Sequence, residues 1–419
     1  MVSALKNNKY NHLNHVYYRT KKRANNLKKT GENLLDFNFE KLFNPKLFNL
    51  KKIISEPKDS GSGSLVYLVS SKTKNYQYVL KITLLESSLV ESNVYRPNLN
   101  MPELETKIYQ IMNILVKKNV TPHIFQIIDF KKNVPINKLN HKMKKNLLAY
   151  DSYASYAYIM LNETSSKEIL ILTLYDFLSS INNLLKVKNV YKYKSKIIFN
   201  IYFQLIYTLD IFNKIGIKHN DLHSNNIFVV IRQRNIFLKN NIKINKKYIF
   251  TSKGKKYEVL LEDIGIDIRI YDFDRSVKHK SNFKYFKSQI KSELIDDYEW
   301  VGMNNKKNPY VDIYKITAST IRDFKKDLPQ DFIKCIESCY RDKNLLYRGM
   351  VGNRQFIKEQ NYLYLNLVPK GYMDPTDEVL VKLVPFVNNN KFNKFFETFS
   401  FDNLLTPTKP KKGLRKPYK

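Results

Sequence analysis

His219-Asn220-Asp221-Leu222-His223-Ser224-Asn225-Asn226 decides the reading of this chain. The stretch follows a long apolar-periodic segment in which Ile198, Ile201, Tyr202, Leu205, Leu209 and Phe212 form one stripe that ends near Gly216. It precedes the apolar run Ile227-Phe228-Val229-Val230. The pattern predicts a helix, a polar loop and a strand, in that order. Within the loop, Asp221 and Asn226 lie five apart. That spacing suits phosphoryl transfer, where positioning and charge neutralisation supply most of the catalysis. A carboxylate must orient the attacking hydroxyl, and oxygen ligands must hold Mg²⁺ on the phosphates. Taken alone, the same residues also make an ordinary turn after a helix.

A second acidic cluster, Tyr271-Asp272-Phe273-Asp274, lies downstream. It closes a segment in which Ile264, Ile266, Ile268 and Ile270 alternate with Gly265, Asp267 and Arg269, the period of a strand. Asp221 fits the role of the carboxylate that receives the hydroxyl; Asn226 and Asp272 fit the role of metal ligands, and Asp274 adds a further carboxylate beside them.

These residues carry a resemblance. The loop is similar to the catalytic loop of the protein-kinase superfamily, His-Arg-Asp-Leu-x-x-x-x-Asn, with His219, Asp221, Leu222 and Asn226 matching by position. Asn220 replaces the Arg, and His223 stands where many Ser/Thr kinases carry Lys. Tyr271-Asp272-Phe273-Asp274 resembles the family's Asp-Phe-Gly, with Asp274 in the Gly position. The combination looks most like the divergent Ser/Thr protein kinases of large cytoplasmic DNA viruses, including poxviruses. The resemblance implies an ATP- and Mg²⁺-dependent transfer of a γ-phosphoryl group to Ser or Thr hydroxyls of protein substrates, in the host cytoplasm or the virion.

The amino-terminal half supplies the remaining parts that the resemblance implies. Gly61-Ser62-Gly63-Ser64-Leu65-Val66-Tyr67-Leu68 resembles the Gly-rich loop over the nucleotide, where the backbone must approach phosphate closely. Val66 occupies the third Gly position, and a Ser-Gly repeat is also a common turn. Val79-Leu80-Lys81 follows on the next strand, with Lys81 in the place of the phosphate-binding Lys and Val79 beside the nucleotide. Glu105 is the expected partner of Lys81, with Glu103 as the alternative; either is also a first-turn acid that a helix dipole favours. Backbone groups near Leu172 to Tyr175 correspond to the segment that meets adenine, and Asp312 to a helix Asp that braces the catalytic loop from below.

The resemblance spans roughly residues 55 to 340, with three departures. An extra segment between Asn226 and Asp272, including 233–256, implies an elongated hairpin or an insertion. No Ala-Pro-Glu is evident between Arg275 and Tyr310, which leaves the peptide-docking floor open. With Asn220 in the Arg position, a phosphorylated loop loses its usual cationic partner, so no strict requirement for loop phosphorylation is expected. A small-molecule kinase of the aminoglycoside or choline type is the rival enzyme reading, because those enzymes also favour a His after Asp-Leu. A pseudokinase that binds partners through a basic surface is the non-enzymatic one.

Composition sets the wider frame. The chain has 419 residues, of which 43% are hydrophobic and 13% aromatic, enough for a large core in one big domain or two lobes. Its formal net charge is +34, from 72 Lys and Arg against 38 Asp and Glu. Such a balance favours acidic proteins, nucleic acid or anionic membrane surfaces, or is a solvated Lys-rich exterior. Cys335 and Cys339 share a helix face and read as free thiols rather than zinc ligands. No apolar run is long enough to span a bilayer, and the most apolar stretch, 197–212, is interrupted by Asn200, Gln204, Thr208 and Asp210.

The expected fold is α+β and bilobal, protein-kinase-like, with a strand-rich N-lobe and a helical C-lobe. A basic extension occupies 1–45, the ATP-binding lobe 46–175 with one helix at 103–118, the catalytic lobe 176–405 with an insertion near 231–260, and a disordered basic tail 406–419. Strands are expected at 65–70, 76–83, 156–161, 168–174 and 264–270, and helices at 311–324 and 328–340.

Overall fold

The computed structural model describes residues 48–55, 64–71, 76–85, 101–139, 141–149, 155–166, 170–187, 193–231, 245–283, 286–291, 303, 305–341, 373–388 and 396–405. Gly61, Gly63, the basic extension 1–45 and the tail 406–419 lie outside the described residues. The architecture is mixed α+β, with seven α-helices and several antiparallel sheets among the described residues.

The first half of the chain builds a five-stranded antiparallel sheet, ordered β1-β2-β3-β5-β4. Its strands are β1 (Phe48–Ser55), β2 (Ser64–Ser71), β3 (Tyr76–Leu85), β4 (Ile127–Pro135) and β5 (Tyr156–Ser166). Strand alternation sorts the side chains onto two faces. Leu65, Tyr67 and Val69 of β2, Tyr78, Leu80 and Ile82 of β3, and Ala157, Ile159 and Leu161 of β5 turn to one side. There they bury against Met143 and Leu147 of helix α2 (His141–Leu148). The opposite face carries Val66, Val79 and Lys81, brought together by the pairings Val66↔Lys81 and Leu68↔Val79. Helix α1 (Met101–Lys117) packs on that face. Tyr158 donates to Thr106 Oγ1 at 2.8 Å, and Glu105 reaches Lys81. Two helices therefore lie within 46–175 rather than one. Four residues of α2 are Lys or His, which hides its short apolar stripe.

The second half is organised by helix α4 (Lys194–Ile215), which is buried almost all round. Each polar interruption in it is a pin to a neighbour. Asn200 donates to Glu262 O at 3.2 Å. Gln204 donates to Ile266 O and accepts from Ile268 N, both at 3.2 Å. Thr208 meets Thr121 at 3.0 Å, and Asp210 accepts from Lys214 at 2.6 Å and Thr376 at 3.1 Å. Buried polar groups demand such partners. No helix among the described residues is long and apolar enough to cross a membrane.

Gly216 ends α4 at φ 78°, and a Cβ there would stand 3.0 Å from His279 O. Strand β7 (Ile217–Lys218) then pairs with β12 (Val277–Lys278). A three-stranded sheet, β11-β8-β6, joins β6 (Leu170–Thr173), β8 (Ile227–Ile231) and β11 (Ile266–Ile270). Strand β6 ends one residue before the expected 174, because Leu174 already opens helix α3 (Leu174–Val187); Leu172 pairs with Val229, and residues 168 and 169 lie outside the described residues. β11 starts after Gly265, whose φ of 77° breaks the extended run.

Between β8 and β11 the extra segment contains a hairpin of β9 (Asn245–Ser252) and β10 (Lys255–Leu261). Its two-residue turn, Lys253-Gly254, has φ of 48° and 76°, the positive pair that a tight hairpin requires. Strand β13 (Phe396–Ser400) adds to β9 in parallel. Helices α5 (Val311–Phe324), α6 (Gln330–Glu337) and α7 (Thr376–Val387) pack with α4. The expected helix 328–340 is thus shortened at both ends, beginning after Pro329. Cys335 and Cys339 are buried free thiols, and burial pushes them up to about 11 and about 12.

Candidate functional site

Lys81, Glu105 and Asp272 meet. Lys81 Nζ donates to Glu105 Oε2 at 3.0 Å and to Asp272 Oδ1 at 2.9 Å. The lysine is 4% exposed and Glu105 1%, whereas the Asp272 side chain keeps 29% of its surface open. The sequence put Glu105 first as the partner of Lys81 and Glu103 second; the contact is to Glu105. Glu103, two residues earlier and on another part of the helix face, bonds Lys132 instead.

The protonation states follow from this packing. Burial opposes a charged Lys81, but Asp272 and then Glu105 outweigh it and hold the ammonium well above its ordinary range. Burial also opposes ionisation of Asp272, yet Lys81 prevails and lowers it. Glu105 goes the other way: burial, only partly offset by Lys81, pushes it up to about 7. Asp274 is buried, and burial together with the neighbouring Asp272 raises its carboxyl well above the usual range. Lys81 thus holds two carboxyls directly, and the buried Asp274 acts on it through space.

The loop 219–226 is fastened to the same place by backbone bonds. Tyr271 N donates to Asn226 O at 3.0 Å, and His219 Nε2 lies 2.9 Å from Tyr271 O. Asn226 Nδ2 donates to Asp221 O at 2.9 Å, which joins the two ends of the loop. Arg275 Nε stands 3.9 Å from Asp221 Oδ2. Beneath the loop, Asp312 of α5 accepts from His219 N at 2.7 Å and from Asn220 N at 2.9 Å. Lys315, one turn along, donates to Asn220 O at 2.6 Å. His223 Nδ1 accepts from Asn225 N at 3.3 Å and caps the short 3-10 turn Ser224–Asn226. Burial lowers His223, against the pull of Asp221.

In this site two backbone positions are held left-handed without glycine: Asn220 at φ 74° and Asp272 at φ 64°. The second lies two residues past the end of β11, after Tyr271, so the chain turns there and sends Phe273 inward while Asp272 faces Lys81. Phe273 is fully buried, edge-on to Tyr109 at 5.0 Å and beside His219 at 5.0 Å and Phe212 at 5.9 Å. Tyr109 also receives Asp272 N at 3.2 Å. One aromatic stack therefore links α1, α4, the loop and the Asp272 segment.

The structure thus brings Lys81, Glu105, Asp221, Asn226, Asp272 and Asp274 to one locality, with Val66 and Val79 on the same sheet face as Lys81. Arg275 and Tyr109 were not singled out from sequence, since neither belongs to a spaced motif. No group of three His, Cys, Asp or Glu side chains arranged to hold a metal ion occurs among the described residues. No protein-family model matches the chain, and no curated protein matches it either.

Proposed function

We propose that the chain is an ATP-dependent protein kinase that transfers a γ-phosphoryl group to protein Ser or Thr hydroxyls, with a two-lobed arrangement in which the five-stranded sheet roofs the nucleotide. The observation that carries this reading is the contact of Lys81 with both Glu105 and Asp272, set beside the Asp221–Asn226 loop. Two of the three ammonium N–H groups go to carboxylates, and the third remains for a phosphate oxygen. Val66 and Val79 offer an apolar surface to the base on the same sheet face.

The residues present suit a magnesium-bound triphosphate. Asp272 is open on one side, and Asn226 spends its Nδ2 on Asp221 O, which leaves Oδ1 as the oxygen for a metal. Two protein oxygens with phosphate oxygens and waters are the usual Mg²⁺ set, so a three-acid cluster is not required. A divalent cation bound at Asp272 would also favour ionisation of Asp274, whose carboxyl burial and Asp272 hold high. When bound, Mg²⁺ neutralises charge on the phosphates. Asp221 orients the acceptor hydroxyl, and Asp312 with Lys315 holds the loop that presents it.

Mg²⁺-dependent transfer of labelled phosphate from ATP, with acidic and basic proteins and small alcohols offered in parallel, tests the reading. Protein phosphorylation abolished by Asp221→Asn is expected. Transfer to alcohols alone makes the chain a small-molecule kinase, and absence of any transfer overturns both.

A further inference from the structure

Asn220 occupies the position before Asp221, where an arginine would place a permanent cation beside the acid. The structure puts one there from another segment. We infer that Arg275 is a positioning residue for Asp221, its guanidinium arriving from the segment after β11 and held in place by Asn220.

The geometry has three parts. First, the Asn220 backbone is fixed on both sides by α5: its N–H goes to Asp312 Oδ1 at 2.9 Å and its carbonyl accepts from Lys315 Nζ at 2.6 Å. Second, its amide Nδ2 donates to Arg275 O at 3.0 Å, which ties the two segments together. The left-handed φ of 74° at Asn220 points the side chain across the gap, and Asn is among the few residues that tolerate it. Third, Arg275 Nε then stands 3.9 Å from Asp221 Oδ2. That separation is too long for a hydrogen bond, so the contact is electrostatic and leaves the carboxylate able to hold an acceptor hydroxyl. The Arg275 side chain is 13% exposed and that of Asp221 24%, so the pair lies at the rim that a substrate reaches. Asp274 and Lys315 also act on the guanidinium through space, and His223 and Lys315 on Asp221, so Arg275 is one cation in a balanced set. An always-charged planar group is the residue type that restricts a carboxylate without giving up a proton to it.

The inference rests on the phosphotransfer reading above. The test measures kcat and KM for ATP in wild type, Arg275→Ala, Arg275→Lys and Asn220→Gly, each with and without added guanidinium chloride. Glycine keeps the left-handed backbone at position 220 and removes only the amide. Expected are a fall in kcat of roughly tenfold or more in Arg275→Ala with KM for ATP unchanged, partial recovery in Arg275→Lys, and rescue of Arg275→Ala by millimolar guanidinium. Asn220→Gly is expected to fall in the same direction by a smaller factor. An active wild type beside an Arg275→Ala variant of equal kcat, or one that loses activity without rescue while its melting temperature drops, overturns the role of Arg275 alone. A wild type without any phosphotransfer takes down both readings.

Discussion

Lys81 Nζ and Asp272 Oδ1 meet at 2.9 Å although 191 residues separate them in the chain. The contact closes the distance between β3 and the segment that leaves β11, and the same ammonium holds Glu105 on α1. On the phosphotransfer reading proposed above, this contact bears on both stability and chemistry, and substitutions separate the two.

Lys81→Met leaves two acids facing each other beside a buried methionine. Breaking a buried ion pair from one side costs about 3 kcal/mol or more. The variant is expected to lose that much stability in urea unfolding and to lose phosphotransfer at least ~100-fold. Adding Glu105→Gln removes one stranded charge, so the double variant is expected to regain part of the stability and none of the activity. A double variant as unstable as the single one contradicts the pairing.

Glu105→Gln and Glu103→Gln separate the two helix acids. The first weakens the grip on Lys81 and is expected to reduce turnover by roughly tenfold or more. The second breaks the half-exposed contact with Lys132, worth about 0.5 kcal/mol, and is expected to leave turnover unchanged. Equal effects in a steady-state assay run against the geometry.

Asp312→Ala removes the acceptor of two buried backbone N–H groups, those of His219 and Asn220. Each orphaned donor costs about 1–3 kcal/mol, so a loss of about 2–6 kcal/mol is expected from chemical denaturation. Asp221→Asn touches none of these bonds. Its melting temperature is expected to stay within ~2 °C of wild type while transfer disappears; retained transfer excludes Asp221 as the orienting acid.

His279 gives a pH dependence. Burial, followed by Lys218, Lys307, Lys291 and Lys278, lowers it from 6.5 to about 4. The folded value lies below the unfolded one, so the neutral ring supports the fold above about 6.5. That support is lost as pH falls from there through about 4. Glu105, raised to about 7, slopes in the opposite sense over part of that range, so the informative quantity is a difference. Relative to wild type, His279→Gln is expected to lose less stability between pH 7 and 4, by on the order of 2 kcal/mol after allowance for solvent screening. Parallel pH-stability curves refute the assignment.

Much of the site was legible because its geometry is local. Asp221 and Asn226 share one loop, the alternation 264–270 delivers Asp272, and the stripe along 198–212 marks α4. What escaped the sequence depends on distant partners. Strand β13 is a strand because it pairs with β9, far upstream, and nothing in Phe396–Ser400 announces that. Strand β4 has its register to β5 shifted twice, which destroys the period-2 signal, and Lys131 and Lys132 interrupt it. Leu174 reads as the end of a strand by composition but opens α3 after Thr173, whose hydroxyl accepts from Asp176 N at 3.0 Å. Arg275 looks like a solvated charge until Asn220 is seen to hold its carbonyl.

The parallel addition of β13 to β9 has a temporal side. Phe399 stacks on Tyr248 at 5.4 Å, Tyr248 reaches His123 at 2.7 Å, and Ser400 N and Asn403 Nδ2 both bond Asn119 O, just past the helix that carries Glu105. During synthesis the ribosome makes Asn119 and His123 long before it makes Ser400. The turn beyond α1 is therefore locked by a segment that is made 284 positions later, and a growing polypeptide fastens the end of α1 in this way only once Asn403 has emerged.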